Sequence, residues 1–232
     1  MTENTLLKKP FNAQQIRLKK RSLKKELLLQ ENLTEKRIAL LSGSTIGEIK
    51  PILELFLLQN GIKPTFYEGD YNLFFEESVF ENPELAEFKP DIIYVHTSSK
   101  NITEYPHAAN TKEETDALLS SSLKRFTTAW TSLKEKYKCP VIINNFEPLP
   151  YRVMGNADIW QPNGRNHFIH QLNTKVYEFV SESSGIYLND INYLASSYGL
   201  ERWADSANWY LYKYALALDA IPDLCYNLSL II

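Results

Sequence analysis

Cysteine is nearly missing from this chain: only Cys139 and Cys225 occur in 232 residues. Two so widely separated thiols give neither a disulfide framework nor a metal-ligand spacing, which points to a reducing, cytoplasmic setting. No apolar run approaches membrane-spanning length and no signal-peptide core opens the chain, so no membrane role is expected. Acidic residues are absent between Lys8 and Lys25, a stretch with eight basic ones. With Glu3, the first 25 residues carry a net +7 against a total of −3, leaving −10 for residues 26–232. No aromatic is interleaved between Arg17 and Lys25, so nucleic-acid binding is not expected. Ile16, Leu23 and Leu27 instead place an apolar stripe on a helix there, and residues 1–35 read as a basic helical extension packed on a domain spanning 36–232.

What is present is organised around Arg37-Ile38-Ala39-Leu40-Leu41-Ser42-Gly43-Ser44-Thr45. An apolar run breaks into a small polar turn and an amphipathic segment follows, which predicts a buried strand, a tight turn and a helix. Gly43 is expected to let the backbone turn sharply. The hydroxyls of Ser42, Ser44 and Thr45 are expected to cap the helix, and its free N–H groups to favour an anion. Pro51 reads as a first-turn residue of that helix. Further strands are predicted at Pro64–Glu68, Asp91–His96, Val141–Asn145 and Ile186–Asn189, alternating with helices. Leu119, Leu123, Phe126, Trp130, Leu133 and Tyr137 mark the clearest of those helices. The alternation implies an α/β fold: a three-layer αβα sandwich on a five-stranded parallel sheet with its ligand crevice at the strands' carboxyl ends.

Several polar residues fall at those ends. Asp70 follows the second strand, His96 closes the third, and Asn144 and Asn145 close the fourth. His96 has the titration range of a general base, although a histidine at a strand end is more often a hydrogen-bonded structural residue. His167 and His170 stand one turn apart, but no acidic or thiol residue clearly joins them, so no metal site is assigned. Arg165, after the turn Asn163-Gly164, could reach a phosphate. Trp203, Trp209, Tyr210, Tyr212 and Tyr214 read as an aromatic cluster packed between the last helices and the sheet, with a partner-binding surface as the second reading.

Ser42-Gly43-Ser44-Thr45 resembles the first block of SGNH-type esterases, and Gly69 resembles the glycine of their second block. Gly61-Ile62-Lys63-Pro64, Phe88-Lys89-Pro90-Asp91-Ile92-Ile93-Tyr94, Ile143-Asn144-Asn145-Phe146-Glu147, Trp203-Ala204-Asp205 and Leu218-Asp219-Ala220-Ile221-Pro222 resemble the N-terminal region of FkbH-type proteins. The resemblance implies an SGNH-hydrolase-like sheet of order 2-1-3-4-5. It also implies a parent that joins this region to a haloacid-dehalogenase-type phosphatase and passes a glyceryl group to an acyl carrier protein. The Asp-x-Asp-x-Thr nucleophile of that phosphatase occurs nowhere here, so its chemistry and its magnesium are assigned to a missing C-terminal domain and no cofactor is expected. By the same resemblance Ser44 stands where the nucleophile would be. The backbone N–H groups of Gly43, Thr45 and Gly69 would be oxyanion donors, joined by Asn101 or by a loop-capping role for that side chain. The expected Asp-x-x-His becomes Asp205-Ser206-Ala207-Asn208, which keeps the aspartate but replaces the base with an amide.

Three functions follow. The first is a docking or substrate-binding module for an FkbH-type phosphatase or transferase, with a degenerate esterase site and an acyl carrier protein or small acyl or phosphate compound as partner. The second is an active serine esterase or acyltransferase using Ser44, and the third an anion-binding or basic-arm interaction protein. If the chain continues into a phosphatase domain, some of the apolar face formed by Ala220, Ile221, Leu224, Leu228, Ile231 and Ile232 is expected to lie exposed or to pack in a homo-oligomer.

Overall fold

The computed structural model describes residues 3–232, with side chains from Thr5 onward. The basic segment forms α1 (Ala13–Leu27), capped by the Asn12 side chain, which accepts from Gln15 N. Ala13, Ile16, Leu23 and Leu27 are buried. Part of the basic face pairs with acids of the sheet domain, Arg17 with Asp219, Lys20 with Glu48 and Lys24 with Glu54. Exposed pairs of this kind stabilise little, so the buried apolar stripe is what anchors the helix.

The sheet is parallel throughout, in the order β2-β1-β3-β4-β5. Its strands are β1 (Thr34–Ser42), β2 (Ile62–Glu68), β3 (Ile92–His96), β4 (Val141–Asn144) and β5 (Ile186–Asn189). β1 lies between β2 and β3, and it starts at Thr34 because Thr34 already pairs with Ile62. Alternation along β1 sorts the two faces of the sheet. Ile38 and Leu40 join a core with α1, α2 (Ile49–Gln59), α7 (Ile191–Tyr198) and α10 (Ile221–Ser229). Ala39 and Leu41 join the other, with α3 (Phe74–Val79), α4 (Pro83–Phe88), α5 (Lys112–Tyr137) and α6 (Arg165–Glu182). The α5 stripe is core as the spacing implied, with Leu119, Phe126, Trp130 and Leu133 buried and Leu123 and Tyr137 packed at its edge.

Two expectations hold only in part. Ala220, Ile221, Leu224 and Leu228 are fully buried in their own chain, because α10 is the helix that covers α2; Ile231 and Ile232 pack at the margin of the same core. Nor do the aromatics near the end form one packed cluster. Trp203, in the short α8 (Leu200–Trp203), is buried, but α9 (Ser206–Tyr212) buries no residue and leaves Tyr210, Leu211 and Tyr212 exposed.

Candidate functional site

The carboxyl ends of β1 and β3 adjoin: Ser42 pairs with His96 in register, and Gly43 N donates to His96 O at 3.0 Å. The turn then departs from the sequence reading. Its hydroxyls cap no helix, because α2 begins only at Ile49, and its N-cap, Glu48, makes no side-chain capping bond. Ser42 Oγ donates to Ser44 O at 2.7 Å, and Thr45 Oγ1 donates to Tyr212 O at 2.6 Å. Ser44 therefore does not sit at a helix N-terminus. Pro51 does occupy the first turn of α2. Gly43 has no positive φ. Glycine stands there because a Cβ would lie 2.1 Å from Asn101 Nδ2.

Asn101 is held by that contact. Its Nδ2 donates to Gly43 O at 2.7 Å and its Oδ1 accepts from Ser98 N at 3.0 Å, closing a capping box with Ser98. Both ends of the amide are occupied in a loop-capping role. Gly69 N donates to Leu40 O, and Asp70 N to Glu77 Oε1, while the Asp70 residue is exposed. Desolvation is the largest influence on Glu77 and raises its pKa.

Ser44 is roofed. Thr45 N donates to Lys213 O at 3.0 Å and Thr45 Oγ1 to Tyr212 O, so the end of α9 is fastened to the turn. On the β3 side, the Lys100 ammonium lies 5.4 Å from the Trp209 ring centroid. Asp205 caps α9, accepting from Ala207 N and Asn208 N, and also takes Asn208 Nδ2 at 2.7 Å. Ser44 is 1% exposed. Among the described residues its Oγ has no hydrogen-bond partner, and neither has His96 Nε2 or Thr97 Oγ1, three buried polar atoms orphaned at neighbouring strand ends. Buried side-chain groups of this kind are nearly always paired, so three together call for an explanation.

His96 is fixed from its other side. Nδ1 lies 2.9 Å from Tyr94 Oη and 3.3 Å from Asn144 Nδ2. Asn144 Nδ2 also donates to Thr97 O, and Asn144 Oδ1 accepts from Tyr94 Oη and from Asn189 Nδ2, which Asn227 extends outward. Burial lowers the imidazole pKa to about 4, so the ring is neutral at pH 7. Burial also pushes the Tyr94 phenol well up, which keeps it a donor. Asn145 turns instead to the helices, donating to Tyr177 Oη and Asp190 Oδ1.

The β4 side has its own polar groups. Glu147 is buried and accepts from Ser99 N and Ser99 Oγ; burial outweighs these bonds and raises its pKa. Arg165, the first residue of α6, lies with its guanidinium carbon 5.6 Å from the Tyr105 centroid, and its Nε has no hydrogen-bond partner among the described residues. Asp158, wholly buried, accepts from Met154 N, Arg165 N, Asn166 N and Asn166 Nδ2 and so serves the start of α6 as its anion. Sequence reasoning missed Tyr94, Thr97, Glu147, Asp158 and Asn189 as site-forming groups. Only their positions at strand ends and in the loop after β4 could have flagged them. His167 Nδ1 bonds Ile159 O, and among the described residues no group of three or more His, Cys, Asp or Glu is placed to hold a metal.

No curated protein matches the sequence. Among solved structures, the N-terminal part of the protein BF1531 from Bacteroides fragilis, containing a phosphatase domain complexed with Mg, superimposes with a TM-score of 0.76 at 17% identity. The match covers 90% of this chain and 55% of that one, so the chain spans about half the length of this relative. A GDSL-like lipase from Bacteroides thetaiotaomicron is matched over 95% of this chain and 98% of its own, at 14% identity and a TM-score of 0.47. The family model described as FkbH, N-terminal domain, matches residues 38–232, and the chain belongs to that family.

Proposed function

We propose that this domain is a non-catalytic binding module with a degenerate SGNH-type site, in which Ser44 holds an acyl or phosphate group presented by a small substrate or an acyl carrier protein. On this reading it works beside an FkbH-type phosphatase or transferase activity that brings its own magnesium, and residues 1–35 serve as a basic helical extension of the 36–232 unit. The observation that carries it is the state of the Ser44 hydroxyl: buried and, among the described residues, without a hydrogen-bond partner and so without a base bonded to it. The residue at the histidine's place, Asn208, has its amide bonded to Asp205, and an amide cannot take a serine proton at neutral pH. General-base assistance typically contributes about 10²–10⁴-fold to rate, so its loss leaves binding as the function the residues can perform.

A serine-directed fluorophosphonate probe and a set of short esters test this. The expected outcome is no labelling and turnover unchanged in Ser44→Ala, with acyl-group binding weakened by the same change. Labelling, or brisk hydrolysis abolished by Ser44→Ala, would establish the esterase instead.

A further inference from the structure

Between the end of β4 at Asn144 and the start of α6 at Arg165 the chain makes only one short 3-10 turn, Gly155–Ile159. A connection of that length inside a compact domain is either functional or mobile. This one is pinned by three polar side chains. Asn173 spans the backbone of Phe146, accepting from its N on Oδ1 at 2.9 Å and donating from Nδ2 to its O at 2.8 Å. Asn166 accepts from Leu149 N at 2.9 Å and donates to Tyr151 O at 3.3 Å. Asp158 holds Met154 N on the loop side and Arg165 N and Asn166 N on the helix side.

The loop so held encloses, with α6, α7 and the first residue of α8, a cavity of about 320 Å³. That is near the lower end for small-molecule sites, about 300–1,000 Å³. It is built from the segments that follow β4 and β5, at the end where open α/β sheets hold ligands. Ser44, His96 and Thr97 do not line it. Leu149 and Ile169, both buried, supply an apolar wall together with Ile159 and Leu200. Three polar side chains in the lining keep hydrogen-bonding capacity. Arg152 donates from Nη1 to Asn156 Oδ1, and no acid pairs with it among the described residues. The side chains of His170 and Asn192 have no hydrogen bond among the described residues, although the backbones of both are engaged. An imidazole carries at least one N–H and an amide two, so donors predominate. The one acid in the lining is Asp158, whose oxygens are occupied by four N–H groups at the start of α6, where the helix dipole favours an anion.

We infer that this cavity binds a small free carboxylate with an apolar body, its charge on the Arg152 guanidinium beside the donors of His170 and Asn192, and its body against Leu149 and Ile169. One arginine matches one carboxylate bidentately. A phosphate dianion would keep a charge uncompensated beside an apolar wall, which is strongly unfavourable. The inference is independent of the reading of Ser44.

Amide-resolved NMR of the intact chain tests it, with benzoate and hexanoate as probes, their uncharged amides benzamide and hexanamide as controls, and inorganic phosphate. At least one acid is expected to shift the amides of Ile159, His170 and Asn192 saturably. Its own amide is expected to bind about tenfold more weakly, the difference that one charge-assisted pair makes, and phosphate to shift none of the three. Arg152 is exposed, so Arg152→Met leaves the fold intact. This variant is expected to lose the preference for acid over amide while binding the amide as wild type does. Neither acid shifting those amides, or equal binding of an acid and its amide by wild type, would overturn the inference. So would a preference that survives in Arg152→Met, and saturable phosphate binding at the three amides would overturn the choice of a carboxylate.

Discussion

Gly43→Ala is expected to destabilise the fold by about 3 kcal/mol and to disorder the Ser44 turn, a large effect for one methyl group. The new Cβ would stand 2.1 Å from Asn101 Nδ2 and 2.4 Å from its Cγ, so the whole amide must leave. Its departure strips partners from Gly43 O and Ser98 N, both served by this side chain, and an unsatisfied buried polar group costs about 1–3 kcal/mol. Denaturant unfolding of Gly43→Ala, Asn101→Ala and the double variant checks this. The double variant should lose much less than the sum of the singles, since the methyl group then fills space that the amide has vacated. Strict additivity would mean that the clash is not the reason for glycine.

That glycine also shows where sequence reading reaches its limit. Its position after a buried strand was legible, but the reason offered, freedom to turn, was local. The operative constraint comes from a side chain 58 residues away, brought in by the pairing of β1 with β3. The sheet itself was legible because apolar runs of period two and helical stripes of period 3.6 are written by neighbours in sequence. The strand at Ile186–Asn189 and the core stripe of α5 fall where that periodicity puts them. The failures share a cause. Apolar residues in α10 could be seen, but not that α2 offers them a partner face. Aromatics in α9 could be counted, but their partners are decided by how a seven-residue helix lies on the Ser44 turn, held there through Thr45.

The candidate site divides the same way. Ser42, Gly43, Ser44, His96 and Asn101 do meet at one edge, as the order of strands required. What the sequence could not assign was the direction of each hydrogen bond. Asn101 is a turn's brace, Asp205 and Asn208 are a helix cap, and Asn144 is the residue that orients His96. A motif read as a list of residue types treats such groups as interchangeable with their catalytic counterparts, and only the partners of each atom separate them.

Acidification is expected to expose the cost of a buried neutral histidine. The His96 pKa falls from 6.5 to about 4 through desolvation. Above pH 6.5 the ring is neutral in both folded and unfolded chains and adds nothing to the pH dependence. Between pH 6.5 and 4 the unfolded chain binds a proton that the folded chain does not, so stability falls as pH falls. Below pH 4 both forms are protonated and the loss levels off at about 3 kcal/mol. Glu147 works in the opposite sense, because burial raises its pKa and the folded chain gains a proton first, stabilising it over part of the same range. Asp91, lowered to about 2 by its hydrogen bond with Arg37, is lost mainly at still lower pH. The contribution of His96 is isolated by comparison with His96→Gln, measured as urea stability at pH 7 and pH 4. The variant starts less stable at pH 7, since Tyr94 and Asn144 lose the ring nitrogen they both contact, but it should lose about 3 kcal/mol less than wild type on acidification. Parallel pH profiles for the two proteins would show that the ring admits a proton in the folded state, which is incompatible with its burial at the end of β3.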